Sequence, residues 1–171
     1  MKAQLSEISL EYFADDGQFP NSTLPVVIYK QVLPQDKVSA EDLETLFERN
    51  GWPPQWRDTV FTFHHFHSQS HECLGIARGN ATLRLGGPQG REFRVLAGDV
   101  VLIPAGVAHQ RVTASSDFMV VGAYPPGQEN FDTLRGQPDD RPKADQNIAQ
   151  VPLPATDPVG GQDGPVVEKW A

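Results

Sequence analysis

Short apolar runs separated by turn residues fill the middle of the chain. Each run lasts about four to eight residues, a usual strand length, and Gly, Pro, Asn or Ser stands in most of the gaps. Runs at this spacing are typical of antiparallel strands that fold into a sandwich, a barrel or a jelly roll. The predicted strands cover residues 60–67, 72–77, 81–85, 92–96, 100–103, 110–113 and 118–124.

The N-terminal part of the chain predicts two more strands and one helix. The strands cover residues 8–13 and 24–33. Ser39 is placed to cap a helix, because Asp42 follows three residues later as in a capping box. Gly51 then stops the helix, since glycine adopts the left-handed conformation easily. The apolar residues at helical spacing between these two points are Leu43, Leu46 and Phe47.

The C-terminal part is rich in proline and predicts an irregular arm over residues 125–171. Apolar residues along it predict that it wraps the barrel or a partner subunit, with a disordered stretch over residues 135–147 as the alternative. We expect one structural domain, in which residues 1–57 pack on a barrel core formed by residues 58–124. The apolar anchors of the arm are Val151, Leu153, Val166, Val167 and Trp170.

Composition and charge narrow the possible partners. The 171 residues carry a formal net charge of −8 without a cluster of Lys or Arg, which argues against nucleic acids and anionic membrane surfaces. The single cysteine, Cys73, excludes an internal disulfide framework. No apolar run resembles a signal peptide or reaches the roughly 20 residues of a membrane helix, so we expect a cytoplasmic protein.

Four of the five histidines stand within eight residues, and strand geometry separates them. Because side chains alternate along a strand, His65 and His67 share one face, while His64 points away. Glu72 opens the next predicted strand and converges with the two imidazoles if the inward faces meet. Two imidazole nitrogens and one carboxylate form a transition-metal site. His71 is predicted to face outward, with a role in orienting Glu72 as the alternative.

The fifth histidine, His109, follows a buried run and a turn made by Pro104 and Gly106. Its isolation in the sequence fits a further ligand that a distant strand contributes. Arg111 lies two residues later and shares its face if the strand is regular. An inward guanidinium there would bind a carboxylate or a similar anion. The alternative is an arginine at the barrel mouth or one paired with an acidic side chain.

These residues carry a resemblance to the cupin superfamily, small jelly-roll barrels also described as double-stranded β-helices. The first cupin motif matches His65-Phe66-His67, four residues, Glu72, six residues and Gly79. The residues that match the second motif are Gly98, Pro104, Gly106 and His109. The resemblance covers about residues 58–124 and departs from the motifs at Thr59 and Thr113, neither of which is a ligand position.

The resemblance implies an all-β cupin barrel with one short N-terminal helix, a proline-rich arm and one divalent metal ion. The implied ligands are His65, His67, Glu72 and His109. Iron, manganese, nickel, zinc, copper and cobalt all occur at such sites. Substrate would lie beside the ion, with Phe61 and Phe63 as walls of the pocket.

The function expected from this set is that of a mononuclear metalloenzyme acting on a small polar or acidic molecule. Three histidines and one carboxylate resemble cupin oxygenases more than sugar epimerases, so an oxygenase-like reaction is favoured. The alternatives are a metal-dependent isomerase and a non-catalytic module that binds a small molecule. The chain resembles single-domain bacterial cupins of undefined function, and a homodimer is expected because cupins often assemble in this way.

Overall fold

A computed structural model describes residues 3–5 and 7–171, which form two antiparallel sheets. The strands are β1 Ile8–Phe13, β2 Ser22–Tyr29, β3 Pro54–Asp58, β4 Glu72–Arg78, β5 Asn80–Leu85, β6 Arg91–Leu96, β7 Val100–Ile103, β8 His109–Ala114 and β9 Met119–Ala123. The helices are α1 Ala40–Arg49, α2 Lys143–Gln150 and α3 Pro165–Lys169. The predicted all-β jelly roll is confirmed.

The larger sheet has the strand order β1-β2-β7-β4-β9-β3, and the smaller one has the order β6-β5-β8. Side chains alternate along β4, so that Leu74 and Ile76 enter the core between the sheets while Cys73 enters the core on the outer side. β2 pairs with β7, so the N-terminal strands are part of the barrel wall and do not merely pack on it.

Helix α1 covers the outer face of the larger sheet. The Ser39 hydroxyl accepts a hydrogen bond from the Asp42 N–H at 3.1 Å, which confirms the predicted cap. Phe47 lies flat on Gly75 of β4, where an added Cβ would come within 2.7 Å of the Phe47 ring. The helix therefore packs directly on the strand that begins with Glu72.

Residues 60–67 do not form a strand, and the sequence prediction was wrong here. The segment makes only two isolated bridges, between His65 and His109 and between Phe66 and Leu134. The first partner begins β8 and the second belongs to the C-terminal arm. Because the segment is divided between two partners, it cannot form a continuous ladder.

The sequence analysis did not predict β3, which pairs with β9 at the edge of the larger sheet. Pro54 begins this strand, a position where the missing N–H of proline costs no ladder hydrogen bond. Trp52, just before it, is buried in the outer core, and its indole N–H donates to the Thr156 carbonyl.

The C-terminal arm is more regular than predicted, since it contains α2, α3 and a 3-10 turn over Pro138–Asp140. Arg141 ties this region to the loop between β1 and β2 through an ion pair with Asp15, and it pairs with Asp145 of α2 within the arm itself. Trp170 is buried and donates to the Pro25 carbonyl oxygen, so the end of the arm packs on the larger sheet. None of the helices in the described residues has both the length and the apolar character needed to cross a membrane.

Candidate metal centre

The structure brings His65, His67, Glu72 and His109 together at one end of the barrel. His65 and His109 are locked to each other by two backbone hydrogen bonds of 3.1 and 2.8 Å. Glu72 is the first residue of β4, where it lies opposite Ile103 of β7. All four side chains are buried. The site is therefore built from one irregular loop and the first residues of two strands.

Each of the three imidazoles is oriented by a backbone carbonyl group. In every case Nδ1 lies within hydrogen-bond distance of a carbonyl oxygen, so Nδ1 carries the proton and donates. The Nε2 atoms then present lone pairs toward one another. The acceptors of His65, His67 and His109 are the carbonyl oxygens of Phe63, Asp132 and Val107, at 3.0, 2.5 and 3.1 Å.

The donor set fits a divalent transition metal. The ligand atoms of the three histidines lie within 4.8 Å of one another. The Glu72 carboxylate approaches His109 Nε2 at 3.1 Å and His67 Nε2 at 3.3 Å. If both nitrogens present lone pairs to the carboxylate oxygens, a cation between them offsets the repulsion, and either a metal ion or a proton on Nε2 can supply that charge. Ligands at about 2.1 Å from an ion and at right angles would be roughly 3 Å apart, close to these distances.

The protonation of the cluster follows from burial and from its one negative charge. Burial alone would raise the pKa of Glu72, but the imidazoles of His67 and His109 hold it well below its usual range. Burial would also lower the pKa of His67, whereas the Glu72 carboxylate raises it. Burial, with the His109 ring nearby, lowers the pKa of His65 to about 3. His65 is therefore a neutral ligand near neutral pH.

Two residues outside the predicted set contact the carboxylate. The Tyr124 hydroxyl lies 2.8 Å from Glu72 Oε2, and the Trp56 indole nitrogen lies 2.7 Å from the same hydroxyl. Burial and the neighbouring Glu72 charge raise the pKa of Tyr124, so the phenol keeps its proton. The sequence analysis gave Trp56 no place in the metal site, and it placed Tyr124 only at the end of a predicted strand.

A cavity of about 190 Å³ opens beside the cluster. Aromatic and aliphatic side chains make up most of its wall, with two threonine hydroxyls and one carboxylate. Besides the four cluster residues, the lining residues are Trp56, Asp58, Thr59, Val60, Phe61, Leu74, Phe131 and Thr133. A larger depression of about 940 Å³ lies outside the barrel, where its acidic residues Asp15 and Asp145 are both paired with Arg141.

The structure separates the three residues predicted to form the substrate pocket. Phe61 lines the cavity and is 51% exposed. Phe63 stacks on Phe61 with ring centroids 4.8 Å apart but does not line the cavity, which corrects its predicted role as a wall. The Arg135 guanidinium lies over the Phe63 ring, 3.8 Å from the ring centroid. Arg111 is not among the lining residues, but it donates at 3.1 Å to the hydroxyl of Thr59, which is one of them, so its contact with an anion stays a prediction.

The remaining histidines lie outside the cluster. His64 is half-buried against Phe19. His71 was predicted to face outward but is buried, because the C-terminal arm covers it with Trp170. His71 Nδ1 accepts the Ala105 N–H at 2.9 Å. Cys73 is a buried core residue, and burial raises the pKa of its thiol.

The arm contributes residues that the sequence analysis did not place in the site. The Asp132 carbonyl orients His67, and the Asp132 carboxylate accepts from the Ser68 backbone N–H at 2.8 Å. Phe131 packs edge-on against the His67 ring with centroids 5.1 Å apart. Because these residues lie some 60 positions from the first motif, no local signal marks them.

Comparison with known proteins establishes the family. A family model described as a cupin domain matches residues 55–121. A protein of Bacillus subtilis (strain 168), named "Uncharacterized protein YjlB", is 41% identical over 165 residues, which cover 96% of this chain and 97% of the relative. The chain belongs to the cupin superfamily. The expected resemblance is thereby confirmed.

Two solved structures illustrate more distant likenesses. A DUF861 family protein from Thermotoga maritima is 20% identical with a TM-score of 0.37, over 57% of this chain and 96% of that one. An acireductone dioxygenase from Bacillus anthracis, with a cadmium ion in its active centre, is 15% identical with a TM-score of 0.38, over 71% and 79% of the two chains. At these scores no residue role is transferred to this chain.

Proposed function

We propose that this cupin binds one divalent transition-metal ion through His65, His67, Glu72 and His109, and that it acts on a small molecule beside that ion. The observation that carries the proposal is the orientation of the three imidazoles. Each imidazole donates its Nδ1 proton to a backbone carbonyl oxygen, and its Nε2 atom faces the centre of the cluster beside the buried Glu72 carboxylate. A purely structural cluster has no need of three convergent lone pairs.

When bound, the metal would supply Lewis acidity and, for iron, manganese, nickel or copper, one-electron chemistry with dioxygen. The protein's own part is to hold four donors rigidly and to keep the site dry. The Glu72 charge offsets part of the ion's charge, so a polarised or anionic substrate group remains attracted to the ion. The four ligand side chains are themselves buried, which limits contact with bulk water and strengthens the electrostatic interactions around the ion.

The cavity limits the substrate to a small molecule. Its volume of about 190 Å³ lies below the roughly 300–1,000 Å³ of pockets for drug-sized ligands. The flat side chains of Trp56, Phe61 and Phe131 fit a planar or apolar portion of the substrate. The hydroxyls of Thr59 and Thr133 offer hydrogen bonds to polar atoms. Arg111, bonded to the Thr59 hydroxyl, is our candidate for binding an acidic group of the substrate.

We favour an oxygen-dependent reaction, because three neutral imidazoles and one carboxylate leave an ion able to change its oxidation state. The test is oxygen consumption by protein reconstituted with iron(II), manganese(II) or nickel(II), screened against small carboxylic acids, diols and phenols. Oxygen uptake that requires both the metal and the organic compound would support the proposal, with His109→Ala as the inactive control. Turnover that proceeds equally under argon would contradict the oxygenase reading.

A further inference from the structure

Besides the histidines, a chain of two hydrogen bonds also holds Glu72. Trp56 of β3 lies 2.7 Å from the Tyr124 hydroxyl, which lies 2.8 Å from Glu72 Oε2. Tyr124 follows β9 directly and is buried. The three side chains come from the neighbouring strands β3 and β9 and from β4.

The direction of both hydrogen bonds is fixed by the chemistry of the partners. An indole N–H can only donate, so the Tyr124 oxygen accepts from Trp56. The ionised Glu72 carboxylate can only accept, so the Tyr124 proton points to Oε2. The chain thus runs one way, from Trp56 through Tyr124 to Glu72. A donor bonded to a carboxylate is among the stronger hydrogen bonds in proteins.

Packing keeps both donors in place. The Trp56 indole lies on Gly122 of β9, where an added Cβ would overlap the indole. The Tyr124 ring stacks on Phe131 with centroids 5.0 Å apart and an interplanar angle of 19°. These contacts favour the observed orientation of both rings, in which the hydroxyl proton points to Oε2.

We propose that Tyr124 is a positioning residue that restricts Glu72 to binding the metal through one oxygen, with Trp56 orienting the Tyr124 hydroxyl. The inference rests on the proposed function. Oε1 faces His109 Nε2 at 3.1 Å. Oε2 lies 3.3 Å from His67 Nε2 and is also the oxygen that accepts the Tyr124 hydroxyl, so one of its lone pairs is already used. A carboxylate held in this way leaves more coordination positions for substrate than one that chelates through both oxygens.

Removing the hydroxyl tests this arrangement. In Tyr124→Phe the buried Oε2 loses its donor, and the carboxylate is free to turn and to bind the ion through both oxygens. We expect the affinity for the metal to fall by about 10- to 100-fold, the usual effect of losing a group that orients a ligand. We also expect the coordination number of the ion to rise.

The probe is Co²⁺ alone, added to the full chain. Its affinity is measured by competition with a chelator, and its visible absorption reports the coordination number, since the bands weaken as ligands are added. The matched control is Tyr29→Phe. Tyr29 is also buried and donates to a buried carboxylate, Asp157, at 2.6 Å, but it lies outside the metal cluster. This control should lose stability without changing either Co²⁺ readout.

The outcomes separate this inference from the proposed function. Weaker Co²⁺ bands together with lower affinity in Tyr124→Phe, and neither in Tyr29→Phe, would support it. Unchanged bands in Tyr124→Phe, with or without a loss of affinity, would overturn it while wild-type binding still supports the metal site. Failure of the wild-type protein to bind Co²⁺ would overturn both. If Tyr124→Phe does not fold, Trp56→Phe removes the other donor and should shift the bands in the same direction by a smaller amount.

Discussion

At the scale of single residues, the cluster depends on backbone groups that substitution cannot remove. Two of the three carbonyls that orient the imidazoles, those of Phe63 and Val107, lie two residues before the histidine they serve. The third, Asp132, comes from the arm. The histidines and Glu72 could be predicted from the spacing of the two cupin motifs, although the strand expected over residues 60–67 is a loop. The Asp132 carbonyl could not be predicted, because it lies in the C-terminal arm, 65 residues beyond the histidine that it orients.

His71 gives a prediction about pH at this scale. Burial lowers its pKa to about 4 from 6.5, so in the folded protein the ring stays neutral where the unfolded chain would take up a proton. The contribution of the neutral His71 ring to the free energy of unfolding is therefore fully present above about pH 6.5 and is lost as the pH falls toward 4. The loss attributable to this ring is about 3 kcal/mol, from about 1.36 kcal/mol for each pKa unit.

The matched variant is His71→Asn, whose side-chain oxygen can still accept the Ala105 N–H but does not titrate. Urea unfolding of metal-free protein at several pH values between neutral and acidic measures both chains. The difference in unfolding free energy between them should change in favour of the variant as the pH falls. If the unfolding free energies of the two proteins change with pH in parallel, His71 does not titrate in this pH range.

At the scale of elements, strands that form hairpins with their neighbours were predicted well, and segments with distant partners were not. The strands β5 and β6 pair with each other across a short turn, and their pattern is visible locally. By contrast, residues 60–67 and β3 owe their conformation to β8, β9 and the arm. Tertiary pairing therefore overrides local alternation at the entrance to the site.

The contact between Trp56 and Gly122 gives a prediction at this scale. Gly122→Ala places a methyl group where the indole lies and should destabilise the protein by about 1–3 kcal/mol, as overpacking does. The loss of stability caused by Gly122→Ala should be much smaller in the Trp56→Ala background, where the indole is absent. Urea unfolding of Gly122→Ala, Trp56→Ala and the double variant forms the cycle that measures this coupling. Additive losses in the double variant would show that the two residues do not constrain each other.

At the scale of the whole molecule, the arm completes a site that the barrel begins. Phe131 and Thr133 line the cavity, and Asp132 bonds to both His67 and Ser68. The prediction that the arm wraps the barrel holds for Val166 and Trp170, which are buried, whereas Leu153 and Val167 are exposed. The homodimer remains a prediction, and light scattering on the purified chain would measure it.

The whole account depends on one metal ion held by the four-residue cluster. Metal content measured by mass spectrometry on untagged protein, purified without added metal, tests this claim most directly. We expect close to one transition-metal ion per wild-type chain, a folded but nearly metal-free His109→Ala variant, and full occupancy in His64→Ala, which removes a histidine outside the cluster. A wild-type chain that is empty and cannot be reconstituted, or equal metal content in His109→Ala, would contradict the account.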